Sequence, residues 1–235
     1  MSLKTTSQRK LTNSRLNSSN LGIYVTSGLL MNLDAGIAAS YPGSGTAWYD
    51  LSGNGKNGTL INGPIFSYPN NSIQFDGVDD SVSISSLVSS STTVTVEIWF
   101  KILRFGDVNL FYNGNGASNG YGFQFGACGS TASTLFIYFG GLFCNVVSYA
   151  GMSTDTWYQA VFTRTTSPST SNILYINGVS RSTNTTSNPN TPSGNTSVAS
   201  SAFSGYVSSV RMYSIALSAN EVLQNYNAIK GRFGL

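Results

Sequence analysis

Nine carboxylates and no histidine set the chemistry open to this chain. Without imidazole there is no triad with a histidine base, no histidine-built zinc site and no imidazole proton shuttle. Two cysteines alone do not make a structural zinc site, and no glycine-rich phosphate loop ending in Lys-Ser or Lys-Thr occurs. Cleaving a glycosidic bond takes two carboxyl groups, about 5 Å apart for retention or about 6.5–9.5 Å for inversion. The two glutamates do not supply such a pair. Glu97 lies in Val96-Glu-Ile-Trp-Phe100 with no second acid on that run, and Glu221 follows Ser218 by three residues, the spacing of a capping box. The aspartates stand beside turn residues. The expectation is therefore a chain that is not an enzyme. Glu97 either faces solvent or pairs with a base such as Arg164 or Arg211.

Binding chemistry is better supplied. Calcium takes several oxygens from carboxylates, amides and carbonyls on a bent loop. Asp50 and Asn54, with Ser52 and Asn57, offer such oxygens on one loop, and Asp76 and Asp79, with Asp80, offer more on a second. The same aspartates equally well cap their own turns through backbone amides. For sugars, rings near loop ends are the relevant groups, and Trp48, Tyr112 and Tyr121 are the candidates, with Tyr41 and Tyr149 in similar positions. Trp99 and Trp157 sit inside strand patterns and read as core.

The elements that must position these groups are strands. Short apolar–polar alternations recur with Gly, Asn or Ser between them: Ser72 to Phe75, Ser81 to Ser85, Val94 to Leu103, Val108 to Tyr112, Tyr121 to Phe125, Leu135 to Phe139, Val146 to Tyr149, Trp157 to Arg164, Ile173 to Ile176 and Tyr206 to Tyr213. Asn177-Gly178 between two runs is a primed hairpin turn. One helix is expected, capped by Ser218, with Val222, Leu223, Tyr226 and Ile229 on one face and Gly231 as its stop. The rhythm belongs to a β-sandwich. At 235 residues such a body closes its core without metals or disulfides. Cys128 and Cys144 are either a cross-strand disulfide or two buried thiols.

Charged residues make up 9% of the chain, against about 25% in an average domain. Lys4, Arg9, Lys10 and Arg15 fall in residues 1–21, and no acid precedes Asp34. This stretch reads as a basic arm before a near-neutral body at 22–235. It is either a frayed terminus or an anchor that orders on a partner. It shows no apolar central run of a secretory leader, and no segment is apolar for long enough to span a bilayer. A net charge of +3 does not argue for nucleic acid.

The run Trp48-Tyr-Asp-Leu-Ser-Gly-Asn-Gly-Lys-Asn-Gly-Thr-Leu60, followed by Phe75-Asp-Gly-Val-Asp-Asp80, resembles laminin-G-like, concanavalin A-like jelly-roll domains. Trp157-Tyr158 with Val161, the Leu174-Tyr-Ile-Asn-Gly178 hairpin, and Val210 to Leu223 resemble their central and closing elements. The likeness runs from about residue 28 onward. It implies an all-β, two-sheet antiparallel jelly-roll sandwich with one short C-terminal helix. Laminarinase-type relatives carry E-x-D-x-x-E on one strand, and this chain departs from that pattern at Glu97. Related domains hold calcium at a loop rim and recognise glycans, and some are structural proteins of phages and large viruses. The resemblance thus implies a virion structural protein, as capsid decoration, minor capsid or fibre component, held on the particle surface by its arm against neighbouring proteins. The alternative it implies is a calcium-dependent carbohydrate-binding adhesion module of a microbial surface, outside the cell.

Overall fold

The computed structural model describes residues 23–235 except 86, 88–92, 116–117, 127–130, 141–145, 186–188 and 200–201. The arm residues Lys4, Arg9, Lys10 and Arg15 lie outside the described residues, as do Cys128 and Cys144.

Sixteen strands are present among the described residues: β1 (Leu29–Asp34), β2 (Ala47–Trp48), β3 (Gly58–Ile61), β4 (Ile65–Ser67), β5 (Ser72–Asp76), β6 (Ser81–Ile84), β7 (Val94–Arg104), β8 (Val108–Asn113), β9 (Tyr121–Phe125), β10 (Leu135–Phe139), β11 (Ser148–Tyr149), β12 (Trp157–Thr165), β13 (Ser171–Ile176), β14 (Val179–Asn184), β15 (Thr196–Val198) and β16 (Ser204–Tyr213). They form two eight-stranded antiparallel sheets. Sheet A runs β14-β13-β12-β7-β16-β5-β4, with β1 continuing the line of β5 along β16; sheet B runs β11-β10-β9-β8-β15-β6-β3-β2. The expected all-β sandwich is what forms.

The pleat explains why. On β7, Val94, Val96, Ile98, Phe100 and Ile102 point between the sheets, where they meet Phe111, Phe123, Phe125, Ile137, Phe162, Val210 and Met212 in one core. Glu97 and Trp99, at the intervening positions, point out of sheet A. The Asn177-Gly178 turn has φ 53° and 76°, the left-handed pair that matches strand twist. β14 is the second strand of the Asn177-Gly178 hairpin, as expected. β15 escapes the sequence reading; it is a three-residue bridge between β6 and β8 in a polar stretch, and its pairing comes from its neighbours.

The helix α1 (Ala219–Ile229) starts as expected, with both halves of the Ser218–Glu221 capping box formed. Gly231 does not end the helical path. A 3-10 turn (Lys230–Phe233) continues it, and its last residue stacks on Trp99 and Trp157.

Candidate functional site

The two outward faces of the sandwich differ. That of sheet A is covered. Val25, Val161, Tyr175, Tyr213, Leu217 and Val222 form a second apolar cluster beneath α1. Beside it lies a fully buried ionic network. Arg211 bonds Glu97 at 3.0 Å and approaches Asp34 at 3.5 Å, and Arg232 bonds Asp34 at 2.6 Å. Asn225 of α1 donates to Glu97 at 2.7 Å and Gln159 donates to it at 3.2 Å. Burial works against the charge of Arg211, yet Glu97, Tyr213 and Asp34 outweigh it and hold its pKa above the usual guanidinium range. Burial, with the Glu97 charge next, raises the Tyr213 hydroxyl.

Of the two partners expected for Glu97, Arg211 is the one chosen. Arg164 lies on the same parity of β12 as Ala160 and Phe162, which point between the sheets, and its guanidinium stands 5.3 Å from the Phe139 ring centre. It donates to Asn172 there, and burial pushes its pKa down to about 10. Trp99 is core as expected, whereas Trp157 is half-buried at the margin of this face.

The outer face of sheet B is open in part: Thr59 is exposed and Ser83, Ser197 and Tyr138 are half-buried there, whereas Phe136 and Tyr112 are buried. Thr59, Ser83, Ser197, Tyr112, Gly122 and Tyr138 stand directly opposite one another across β3, β6, β15, β8, β9 and β10. Each is flanked along its strand by residues of the inter-sheet core, so all six belong to the outward face. Five strand spacings make this row about 24 Å wide. Thr59, Ser83 and Ser197 put hydroxyls along it. Tyr112 and Tyr138 have ring centres 6.1 Å apart, with Gly122 between their strands. A Cβ at Gly122 would stand 2.1 Å from the carbonyl oxygen of Phe111 and 2.6 Å from Cδ2 of Tyr112, so the close approach of β8 and β9 here requires glycine. One register further, Asn109 faces Gln124, whose amide donates to Asp107 at 2.9 Å. Amides, hydroxyls, a carboxylate and a half-exposed tyrosine thus share one surface.

The three rings expected to stack on sugar do not offer their faces. Trp48 and Tyr121 are 0% exposed and Tyr112 is 4% exposed. Trp48 and Tyr121 point into the inter-sheet core, because the pleat at these strand ends turns them inward. Tyr112 is on the open face, but its hydroxyl donates to Asn119 O at 2.8 Å under the loop that follows β8, and burial raises its pKa. Tyr138 is the available ring. Its alternation with Ile137 and Phe139 was visible in the sequence, but which face stays open depends on α1 covering the other sheet.

The oxygens expected to hold a metal fall in two places. Asp50 is saturated by its own loop and by β1. Oδ1 accepts from the amides of Asn32 and Ser52, and Oδ2 from the Ser52 hydroxyl and the Lys56 amide, at 2.7–2.9 Å. Asn54 donates to the carbonyls of Leu29 and Leu30. Both side chains hold the loop in shape, and both carboxylate oxygens of Asp50 are engaged within the chain. They also lie far from the second loop. Asn32 pairs with Arg211 and Asp76 with Ser204, seven residues apart on β16, or about 20 Å.

Asp76 and Asp79 do come together, joined by Asp80. One carboxylate oxygen from each lies within 4.8 Å of the others. Ligands at about 2.4 Å from a calcium ion span that distance, so the oxygens fit such an ion. Burial lifts the Asp80 carboxyl above its ordinary range, the Asp76 amide opposes the lift, and the charges of Asp76 and Asp79 add to it. A cavity of about 140 Å³ opens beside the cluster, lined by Asn62, Ile65 and Gln74 as well as Asp76 and Asp80. Among the described residues no helix is long and apolar enough to cross a membrane.

The family model of the concanavalin A-like lectin/glucanases superfamily matches residues 76–223. The match spans more than half of the chain, and the chain belongs to this superfamily. No curated protein matches it. Among solved structures, Trypanosoma rangeli sialidase in complex with sialic acid superposes with a TM-score of 0.64 at 13% identity, over 87% of this chain and 33% of the sialidase. The chain thus spans about a third of that enzyme. Domain 4 of AbnA, an extracellular GH43 arabinanase from Geobacillus stearothermophilus, in complex with arabinotriose, superposes at 0.63 with 15% identity, over 85% and 98%. The botulinum neurotoxin serotype D binding domain superposes at 0.65 with 12% identity, over 86% and 52%. These likenesses show the fold. They also correct the expectation that the chain is not an enzyme. The same sandwich is found within a sialidase and within a domain of an arabinanase, and the superfamily is one of lectins and glucanases alike, so the fold does not exclude an enzyme.

Proposed function

We propose that the chain is a carbohydrate-binding module that lays a glycan along the outer face of sheet B. The observation that carries this reading is the row from Thr59 to Tyr138, which combines hydroxyls with an available ring on the one sheet face that α1 leaves open. A sugar presents an apolar face to a ring and hydroxyls to amides and carboxylates, and Tyr138, Gln124, Asn109 and Asp107 offer those partners. In the same reading, Asp76, Asp79 and Asp80 hold a calcium ion that stiffens the turn leading into β6. Ser83 of the row is three residues beyond Asp80, about 10 Å along the strand.

The module is displayed, in this reading, on a virion, as capsid decoration, minor capsid or fibre component, with residues 1–21 anchoring it to neighbouring proteins. The low charge, the basic arm and the sequence resemblance support this; adhesion from a microbial surface is the alternative. Binding is tested on a glycan array with and without chelator, followed by titration with arabinotriose and sialic acid. The reading expects saturable binding that Tyr138→Ala weakens. Silence across the array in calcium would refute it. Particle display is tested separately, by whether removal of residues 1–21 releases the protein from particles in high salt.

A further inference from the structure

The covered face of sheet A holds a feature that glycan binding does not use. Phe233 stacks on Trp99 with ring centres 4.9 Å apart and on Trp157 at 4.2 Å. Its neighbour Arg232 places both terminal nitrogens on Asp34, at 2.6 and 3.1 Å. A basic residue and the aromatic residue after it therefore occupy a slot with a carboxylate at one end and two indoles at the other. Tyr206 and the Lys101–Asp155 pair, bonded at 2.9 Å, border the Trp157 end.

The cover fits the rings and the carboxylate but not the floor. Gln159, Trp99 and Ser209 stand directly opposite one another on β12, β7 and β16. Each keeps a buried polar atom without a hydrogen-bond partner, namely Oε1, Nε1 and Oγ, and Nε of Arg232 is a fourth. Interiors rarely leave such atoms unsatisfied. All four gain partners when the cover lifts, which offsets part of the cost of lifting it. Asp34 is not stranded either, because Arg211 stays within 3.5 Å of it. The cover is also separable. The α-helical geometry ends at Ile229, with φ −130° and ψ −5°, and the 3-10 turn after it leaves Gly231 exposed and Phe233 only half-buried, while the Arg232 side chain is the part held inside.

We infer that this slot is a peptide-recognition site whose built-in occupant is Arg232–Phe233. Its partner is a protein segment with a basic residue directly before an aromatic one, which enters when the chain's own turn leaves. The guanidinium or ammonium group takes Asp34, the ring takes the two indoles, and the exposed floor gains hydrogen bonds from the incoming backbone.

The probe is the hexapeptide Lys-Gly-Arg-Phe-Gly-Leu, titrated by calorimetry and tryptophan fluorescence into the full chain and into its Arg232→Ala/Phe233→Ala variant. The variant is expected to bind one peptide at least tenfold more tightly than the parent, and peptides with Ala for Arg or for Phe are expected to lose at least tenfold. A folded variant that ignores the peptide, or that binds a scrambled peptide equally, overturns the inference. Should the variant not fold, hydrogen exchange on the parent decides. Amides of residues 231–235 are expected to exchange at least a hundredfold faster than those of residues 222–226, and equal protection overturns the inference.

Discussion

Replacing Arg211 by Met tests the ionic network that closes sheet A. The substitution leaves Glu97 buried with only the amides of Asn225 and Gln159 as donors, at 2.7 and 3.2 Å. Asp34 keeps Arg232. Removing one partner of a buried pair costs about 3–5 kcal/mol. The remaining donors to Glu97 argue for the lower end, about 3 kcal/mol. For a chain of this size that is a fall in melting temperature of about 6–12 °C, at about 2–4 °C per kcal/mol. Melting by circular dichroism at pH 7.5 reads the effect, with the variant melting about 6–12 °C below the parent. A fall under 2 °C would refute the electrostatic account. The double variant Glu97→Leu/Arg211→Met should be less destabilised than the two single losses added together.

Three further outcomes are expected. Gly122→Ala drives its Cβ against the Phe111 carbonyl and the Tyr112 ring, and should lower stability by about 1–3 kcal/mol or more, read by urea denaturation, while also weakening glycan binding. Asp79→Asn should reduce calcium affinity at least tenfold by calorimetry with little change in fold, since Asp79 is exposed. In the parent, calcium binding should strengthen as pH rises through the elevated pKa of Asp80, because the ion competes with the proton that burial favours there. A flat profile across the acid range would remove Asp80 from the site.

Much of the sandwich was legible because β7, β12 and β16 carry long alternations whose two parities differ in polarity. The same alternation placed Glu97 and Trp99 together on one face. It did not choose between Arg164 and Arg211, because the parity of each arginine becomes meaningful only once the core side of its own strand is known. Trp48 shows the opposite failure. Its loop-rich surroundings suggested exposure, but Trp48 pairs with Gly58 of β3 and lies in the same inter-sheet core as Leu60 and Val82. The Asp50 loop read equally as a metal site or as a set of turns. Four donors from its own chain decide for turns, and that count depends on folding geometry that spacing does not encode. Asp76, Asp79 and Asp80 are close in sequence, so their meeting was readable; the distance to Asp50 was not.

The most direct measurement is an amide-resolved NMR titration of the calcium-loaded chain with the best glycan from the array. Shifts should concentrate at Thr59, Ser83, Ser197, Gln124 and Tyr138 and be lost in Tyr138→Ala. Shifts confined to the α1 side of the molecule, or undiminished in that variant, would contradict recognition by the open face of sheet B.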